Sequence, residues 1–160
     1  MDKKVLWVSN VMAKEIITVT RGTTLSSLLK KFHKFHTFPL IPVVEKDGRL
    51  VGTISFKEIV EIFRTKGLEL IKGIPFLDKD ELDIFDLDIN EDEGLLFVAE
   101  DLMKTKPLFL EEETTLEDAY KTMKINSVDV MPVVDKEGRI TGMLGIFDIF
   151  VSIFKQKGLF

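Results

Sequence analysis

One stretch of eighteen residues occurs twice in this chain of 160, and that duplication limits the possible folds more than any other feature. Pro42 to Ile59 reads PVVEKDGRLVGTISFKEI, and ninety residues later Pro132 to Ile149 reads PVVDKEGRITGMLGIFDI. Eight positions are identical, among them Pro42/Pro132, Gly48/Gly138, Arg49/Arg139 and Gly52/Gly142; five more exchange Asp with Glu or Leu with Ile. Each copy reads as a strand, a tight turn at Asp47-Gly48 or Glu137-Gly138, a second strand and then a helix. A repeated unit of this size predicts two halves that bury their apolar faces together.

The correspondence continues upstream. Val8 to Met12 aligns with Ala99 to Met103 as a short helical turn in each half. Ile16 to Val19 and Leu108 to Leu110 follow as short strands. Thr23-Thr24-Leu25 and Thr114-Thr115-Leu116 then place a threonine hydroxyl where a helix has free N–H groups, and Glu117 or Asp118 is positioned to complete a capping box. Leu25, Leu28, Leu29 and Phe32 match Leu116, Ala119, Tyr120 and Met123, a spacing that puts one stripe of each helix against a core. The predicted class is therefore α+β, with two pseudo-symmetric β-α-β-β-α repeats at 1–64 and 99–160. From Ile146 to Phe154 only Asp148 and Ser152 are polar. A helix apolar nearly all round is covered on more than one side, so a homodimer is expected.

Residues 65–98 break the symmetry. Asp78 to Glu93 holds nine acids and one lysine, a net of −8, and the rest of the chain carries +3. An irregular lid, a short amphipathic element and a linker all fit this insert, and its charge makes it dispensable for folding. No clustered basic face suggests nucleic acid as a partner. No run nears the ~20 apolar residues of a membrane span, and no signal-peptide core is evident, so the expected compartment is the cytoplasm. The absence of cysteine excludes disulfides and thiolate metal sites.

His33 and His36 share a helical face but lack further ligands nearby, which reads as surface imidazole rather than a zinc site. Asp86-x-Asp88-x-Asn90 imitates the start of a calcium loop, yet Glu91 and Phe97 stand where glycine and a bidentate Glu are needed. No metal site is assigned. With no nucleophile motif either, the chain is not expected to be an enzyme.

The paired Thr-Thr-Leu helix starts, Pro-Val-Val strands, acidic-Gly-Arg turns and Gly-x-x-(Ser/Gly)-x-x-(Glu/Asp)-Ile segments resemble a CBS-domain pair, or Bateman module, across nearly all of the chain outside the insert. The resemblance implies two repeats packed through their sheets with two clefts, a disc-like dimer, and regulatory binding of AMP, ADP, ATP or S-adenosylmethionine. The family's ligand motif, Gly-x-x-(Thr/Ser)-x-x-Asp, maps to Gly52, Ser55 and Glu58 in the first copy and to Gly142, Gly145 and Asp148 in the second. Its carboxylate would take a ribose diol. Ser55 and Glu58 can instead satisfy each other as a capping box, whereas Gly145 offers Asp148 no hydroxyl partner, leaving Asp148 freer for a sugar. The adenine positions implied are Thr105, Pro107, Val130 and Met131 in one cleft and Ile16, Phe38, Pro39 and Leu40 in the other. Apolar Leu40-Ile41 and Val130-Met131 stand where many nucleotide-binding members carry Arg or His; Lys104, Lys106 and Lys57 are substitutes that also read as solvated surface. The resemblance implies a sensor reporting through a dimer or a separate target protein. A ligand-free dimerisation module with degenerate clefts is the alternative.

Overall fold

The computed structural model describes the backbone of residues 4–71 and 93–160 and the side chains of 4–63 and 95–160. The calcium-loop-like Asp86, Asp88 and Asn90, and most of the acidic segment, lie outside these. The elements in order are α1 (Val8–Val11), β1 (Val19–Thr20), α2 (Leu25–Phe32), β2 (Ile41–Val44), β3 (Leu50–Ile54), α3 (Phe56–Ile71), α4 (Glu93–Leu96), α5 (Ala99–Leu102), β4 (Leu110–Glu111), α6 (Leu116–Asn126), β5 (Val130–Val134), β6 (Ile140–Gly145) and α7 (Ile146–Gln156). The strands form two three-stranded sheets, β1-β2-β3 and β4-β5-β6, so the α+β class and the duplicated order stand. Strands β1 and β4 begin at Val19 and Leu110, later than the apolar runs at Ile16 and Leu108 suggest. Helix α3 runs on past residue 64 to Ile71.

The chain divides into two compact units that do not coincide with the two repeats. One comprises Met1–Thr18, Val44–Val51 and Lys106–Phe160; the other comprises Val19–Val43 and Gly52–Thr105. The leading segment of each repeat thus belongs with the body of the other.

In the first unit, β4 runs parallel to β5 with Leu110 opposite Val133, and β5 pairs antiparallel with β6, with an irregularity at Val133/Val134. The N-terminal segment completes this unit. Val8 N–H donates to the Thr114 carbonyl at 2.8 Å, and Ala13 and Met143 exchange backbone hydrogen bonds of 2.8 and 2.9 Å. The core beneath gathers Val8, Met12, Leu110, Leu116, Ala119, Met123, Met131, Val133, Leu144 and Ile149. Thr115 caps α6: its hydroxyl accepts the Asp118 N–H at 3.1 Å and donates to the Asp118 carboxylate at 2.9 Å, so Asp118 rather than Glu117 turns back to the cap, through the hydroxyl and not the Thr115 N–H.

In the second unit, Leu25 N–H donates to the Phe97 carbonyl and Ala99 N–H to the Thr23 carbonyl, both at 2.8 Å. This holds the segment entering α5 beside the start of α2. Thr24 caps α2 through the Ser27 N–H. Leu25, Leu28 and Phe32 are buried, as are Leu116, Ala119 and Met123 in α6. The fourth member of each expected stripe is not: Leu29 is 45% exposed and Tyr120 38%. Position i+4 is thus only partly covered in both helices.

Both hairpins use the same turn. Glu45 N–H reaches the Arg49 carbonyl, Gly48 N–H returns to the Glu45 carbonyl, and Gly48 sits at φ 87°; Asp135, Gly138 (φ 78°) and Arg139 repeat the pattern. A three-residue loop with glycine in the left-handed region is a hairpin closed by a bulge rather than a two-residue turn. The turns meet within the first unit, where Arg49 and Arg139 form an antiparallel bridge. Like charges opposite one another are unfavourable, and each has its own acid. Arg49 Nε lies 2.7 Å from Asp47, and Arg139 Nε lies 3.0 Å from Asp135. The Arg49 hydrogen bond holds the Asp47 carboxyl below its usual range. At Asp135 burial raises the value, but hydrogen bonds from the Arg139 N–H and guanidinium and the Glu137 N–H outweigh it and the net direction is down.

Candidate functional site

The duplicated glycine before each helix has a steric origin. A Cβ on Gly142 would lie 2.6 Å from Met12 Sδ and 2.8 Å from the Ala13 carbonyl; one on Gly52 would lie 2.5 Å from Met103 Sδ and 2.9 Å from the Lys104 carbonyl. Each leading segment passes directly over a strand, too close for a side chain beneath it. Four residues on, a helix begins with its free N–H groups and positive dipole end.

In the first unit the site is built from β5, β6 and the first turn of α7. Val130 pairs with Gly145 and Met131 with Leu144, which brings Val130 beside the helix start. Met131 is buried in the core. Ile146 N–H donates to the Asp129 carbonyl at 2.8 Å. Gly145 N–H donates to Asp148 Oδ2 at 2.9 Å, so the carboxylate has a backbone partner that the missing hydroxyl did not suggest. This bond orients Asp148 and leaves Oδ1 without a hydrogen-bond partner among the described residues. The leading segment beside it is Met12-Ala13, with Ile16 further along the same unit.

In the second unit the corresponding place is filled by its own residues. Glu58 Oε2 accepts the Ser55 N–H at 2.7 Å and the Ser55 hydroxyl, and Glu58 Oε1 stands 4.0 Å from Lys104 Nζ. The Ser55–Glu58 capping pair is therefore formed. Phe38 packs on Phe56 with ring centroids 6.1 Å apart, and Pro39 and Leu40 are half-buried beside it in sequence.

The leading segments are exchanged relative to the grouping expected from the resemblance. Thr105 follows Lys104, whose backbone pairs with Thr53 (Lys104 N–H to Thr53 carbonyl, 2.9 Å). It belongs to the unit of Ser55 and Glu58, while Ile16 and Pro107 belong to the unit of Asp148. Lys104, read from sequence as a solvated lysine, is 71% exposed and stands 4.0 Å from Glu58 Oε1. The alignment of Met12-Ala13 with Met103-Lys104 sets an alanine against this lysine, each paired with the strand before a helix.

His33 and His36 are exposed, and His33 Nδ1 bonds to the Lys30 carbonyl at 2.6 Å. No group of residues suited to hold a metal occurs among the described residues, and no helix among them is long and apolar enough to cross a membrane. An apolar groove lined by Val5, Leu6, Leu116, Tyr120, Phe150 and Ile153 shares no residue with either helix-start site.

Comparison with known proteins places these features in a family. The model of the CBS domain matches residues 8–81 and 98–155. A CBS domain-containing protein of Dictyostelium discoideum is 31% identical over 151 residues, covering 92% of this chain and 91% of the relative. Among solved structures, Arabidopsis thaliana CBSX2 in complex with AMP superposes with a TM-score of 0.69 at 20% identity, covering 95% of this chain and 98% of that one. The CBS domain pair of protein MJ0100, in complex with methylthioadenosine and S-adenosyl-L-methionine, has a TM-score of 0.63 at 19% identity, covering 96% and 99%.

Proposed function

The chain belongs to the CBS-domain family as a tandem pair, and on that premise we propose that it is a regulatory module that binds an adenosyl ligand and signals through a homodimer or a target protein. The observation that carries the reading is Asp148. Its carboxylate is held at a helix N-terminus by one backbone N–H at 2.9 Å, and its second oxygen is available to a vicinal diol. Such a diol is well matched to a carboxylate, and an adenosyl ribose is the diol that the relatives' complexes with AMP and with S-adenosylmethionine suggest.

The test is a thermal-shift screen with AMP, ADP, ATP, S-adenosylmethionine and NAD. A ligand that binds only the native state at a hundredfold excess over its Kd stabilises by about 2.7 kcal/mol, so at least one adenosyl compound is expected to raise the midpoint by several degrees. No shift with any of them would favour the second reading, a ligand-free dimerisation module. The observation behind that reading is the Ser55–Glu58 pair, which occupies one helix start with its own side chains.

The dimer is read from α7. Ile149 is buried, but Phe147 (75%), Phe150, Ile153 and Phe154 are exposed in the single chain, and exposed large apolar side chains gathered on one helix are what a partner surface would cover. Light scattering is expected to give about twice the chain mass of 18.3 kDa. A species at the chain mass over the whole micromolar range would remove the dimer from the proposal.

A further inference from the structure

We infer that the apolar groove between α6, α7 and the N-terminal segment binds a single-chain anionic amphiphile of the fatty-acid class, its chain along the walls and its head at Lys4 and Lys157. The inference goes beyond the adenosyl reading and does not depend on it. The groove lies wholly within the first unit and has a volume of about 630 Å³, in the range of small-molecule pockets. The segment Lys4 to Leu6 forms one wall and is pinned at both ends. Gln156 Nε2 donates to the Lys4 carbonyl at 2.7 Å, and Leu116 N–H donates to the Leu6 carbonyl at 2.9 Å. Buried Leu116 and Ile149 make the floor, and Val5, Tyr120, Phe150 and Ile153 line it with much of their surface uncovered.

The two ends of the groove differ in charge. At the Leu116 end, Glu117 is already paired with Lys121 at 2.8 Å. At the Gln156 end, Lys4 and Lys157 make no ion pair among the described residues, and the Tyr120 hydroxyl in the wall makes no hydrogen bond among them. An anion near the end of α7 would oppose the helix dipole if the last carbonyls were bare. They are not: Lys157, Gly158 and Leu159 N–H groups donate to the Ile153, Lys155 and Phe154 carbonyls at 3.0–3.1 Å. Apolar walls with two unpaired ammonium groups at one end complement an amphipathic anion: methylene burial supplies the affinity, and the lysines select the sign of the head. Phe147 and Phe154, on which the dimer reading leans, lie about a third of a turn round α7 from Ile149 and Ile153. The face they present is therefore not the one that lines the groove.

The test titrates decanoate, below its micellar concentration, into the full chain, with the single tryptophan as reporter. Trp7 follows Leu6 and forms a backbone bridge with Thr115, and both of these neighbours line the groove. Decanoate is expected to shift the Trp7 emission in one saturable phase, matched by calorimetry. Octanoate, with two fewer methylenes, is expected to bind about tenfold more weakly. Decyltrimethylammonium, with the same chain and the opposite charge, is expected to bind about fivefold more weakly than decanoate, since exposed lysines are solvent-screened. Lys4→Met combined with Lys157→Met is expected to erase that preference with little change in thermal midpoint, because both side chains are exposed. A preference for decanoate that survives the double variant, equal binding of the two probes by the unaltered protein, or no binding of decanoate overturns the inference. Decanoate that splits a dimer in light scattering overturns it as well, by making a second copy the occupant of the groove. The thermal-shift screen with adenosyl compounds is read independently of every one of these outcomes.

Discussion

Gly142→Ala is expected to lower the thermal midpoint by about 2–12 °C, the range given by 1–3 kcal/mol of overpacking in a chain of this size. The added methyl would lie 2.6 Å from Met12 Sδ and 2.8 Å from the Ala13 carbonyl. The thioether can swing aside, since methionine is flexible. The carbonyl cannot, because it accepts the Met143 N–H at 2.9 Å while Ala13 N–H is bound to Met143 at 2.8 Å. Relief of the clash therefore requires opening a two-bond bridge. Gly52→Ala is expected to behave in the same way against Met103 and Lys104. Gly22→Ala is the control: no atom lies within 4 Å of its added methyl, and its midpoint is expected to stay within the small range of neutral surface changes. If Gly142→Ala melted with the control, the leading segment would not be seated on β6.

Asp148→Asn is expected to weaken the binding of adenosine, or of methylthioadenosine, at least about tenfold, the equivalent of a charge-assisted hydrogen-bond pair of about 1.5–3 kcal/mol. Glu58→Gln is expected to change the same affinity far less, because Ser55 and Lys104 already occupy that carboxylate. The fold is expected to tolerate Asp148→Asn with a loss near the helix-dipole term of about 0.3–1 kcal/mol, since the amide oxygen can still accept the Gly145 N–H. Calorimetry separates the outcomes. Equal losses from the two variants would place the sugar on the wrong helix in our proposal, and no loss from Asp148→Asn would remove the residue from it.

The local devices of this protein were legible because each depends on residues within about four positions. The threonine caps at Thr24 and Thr115, the glycine turns at Gly48 and Gly138, and the Ser55–Glu58 pair are all chemistry of immediate neighbours. The partial exposure of Leu29 and Tyr120 was less legible. A single amphipathic stripe says which face of a helix is apolar, but not how far the opposing sheet extends beneath it. Asp148 was also misjudged in one respect, because a missing serine hydroxyl says nothing about a backbone N–H that can take its place.

Sequence alone determined that there are two copies of one α+β unit, where the helices and turns common to both copies begin, and which carboxylates stand at the helix starts. It did not determine which leading segment covers which strand. Met12 and Met103 are equivalents, as are Gly52 and Gly142, so either methionine fits over either glycine with the same local chemistry. The repeat that makes the fold readable also makes these two pairings degenerate. Only the tertiary structure separates them, by laying Met12-Ala13 on β6 and Met103-Lys104 on β3, and that choice places Lys104 in the unit of Glu58 and Ala13 in the unit of Asp148.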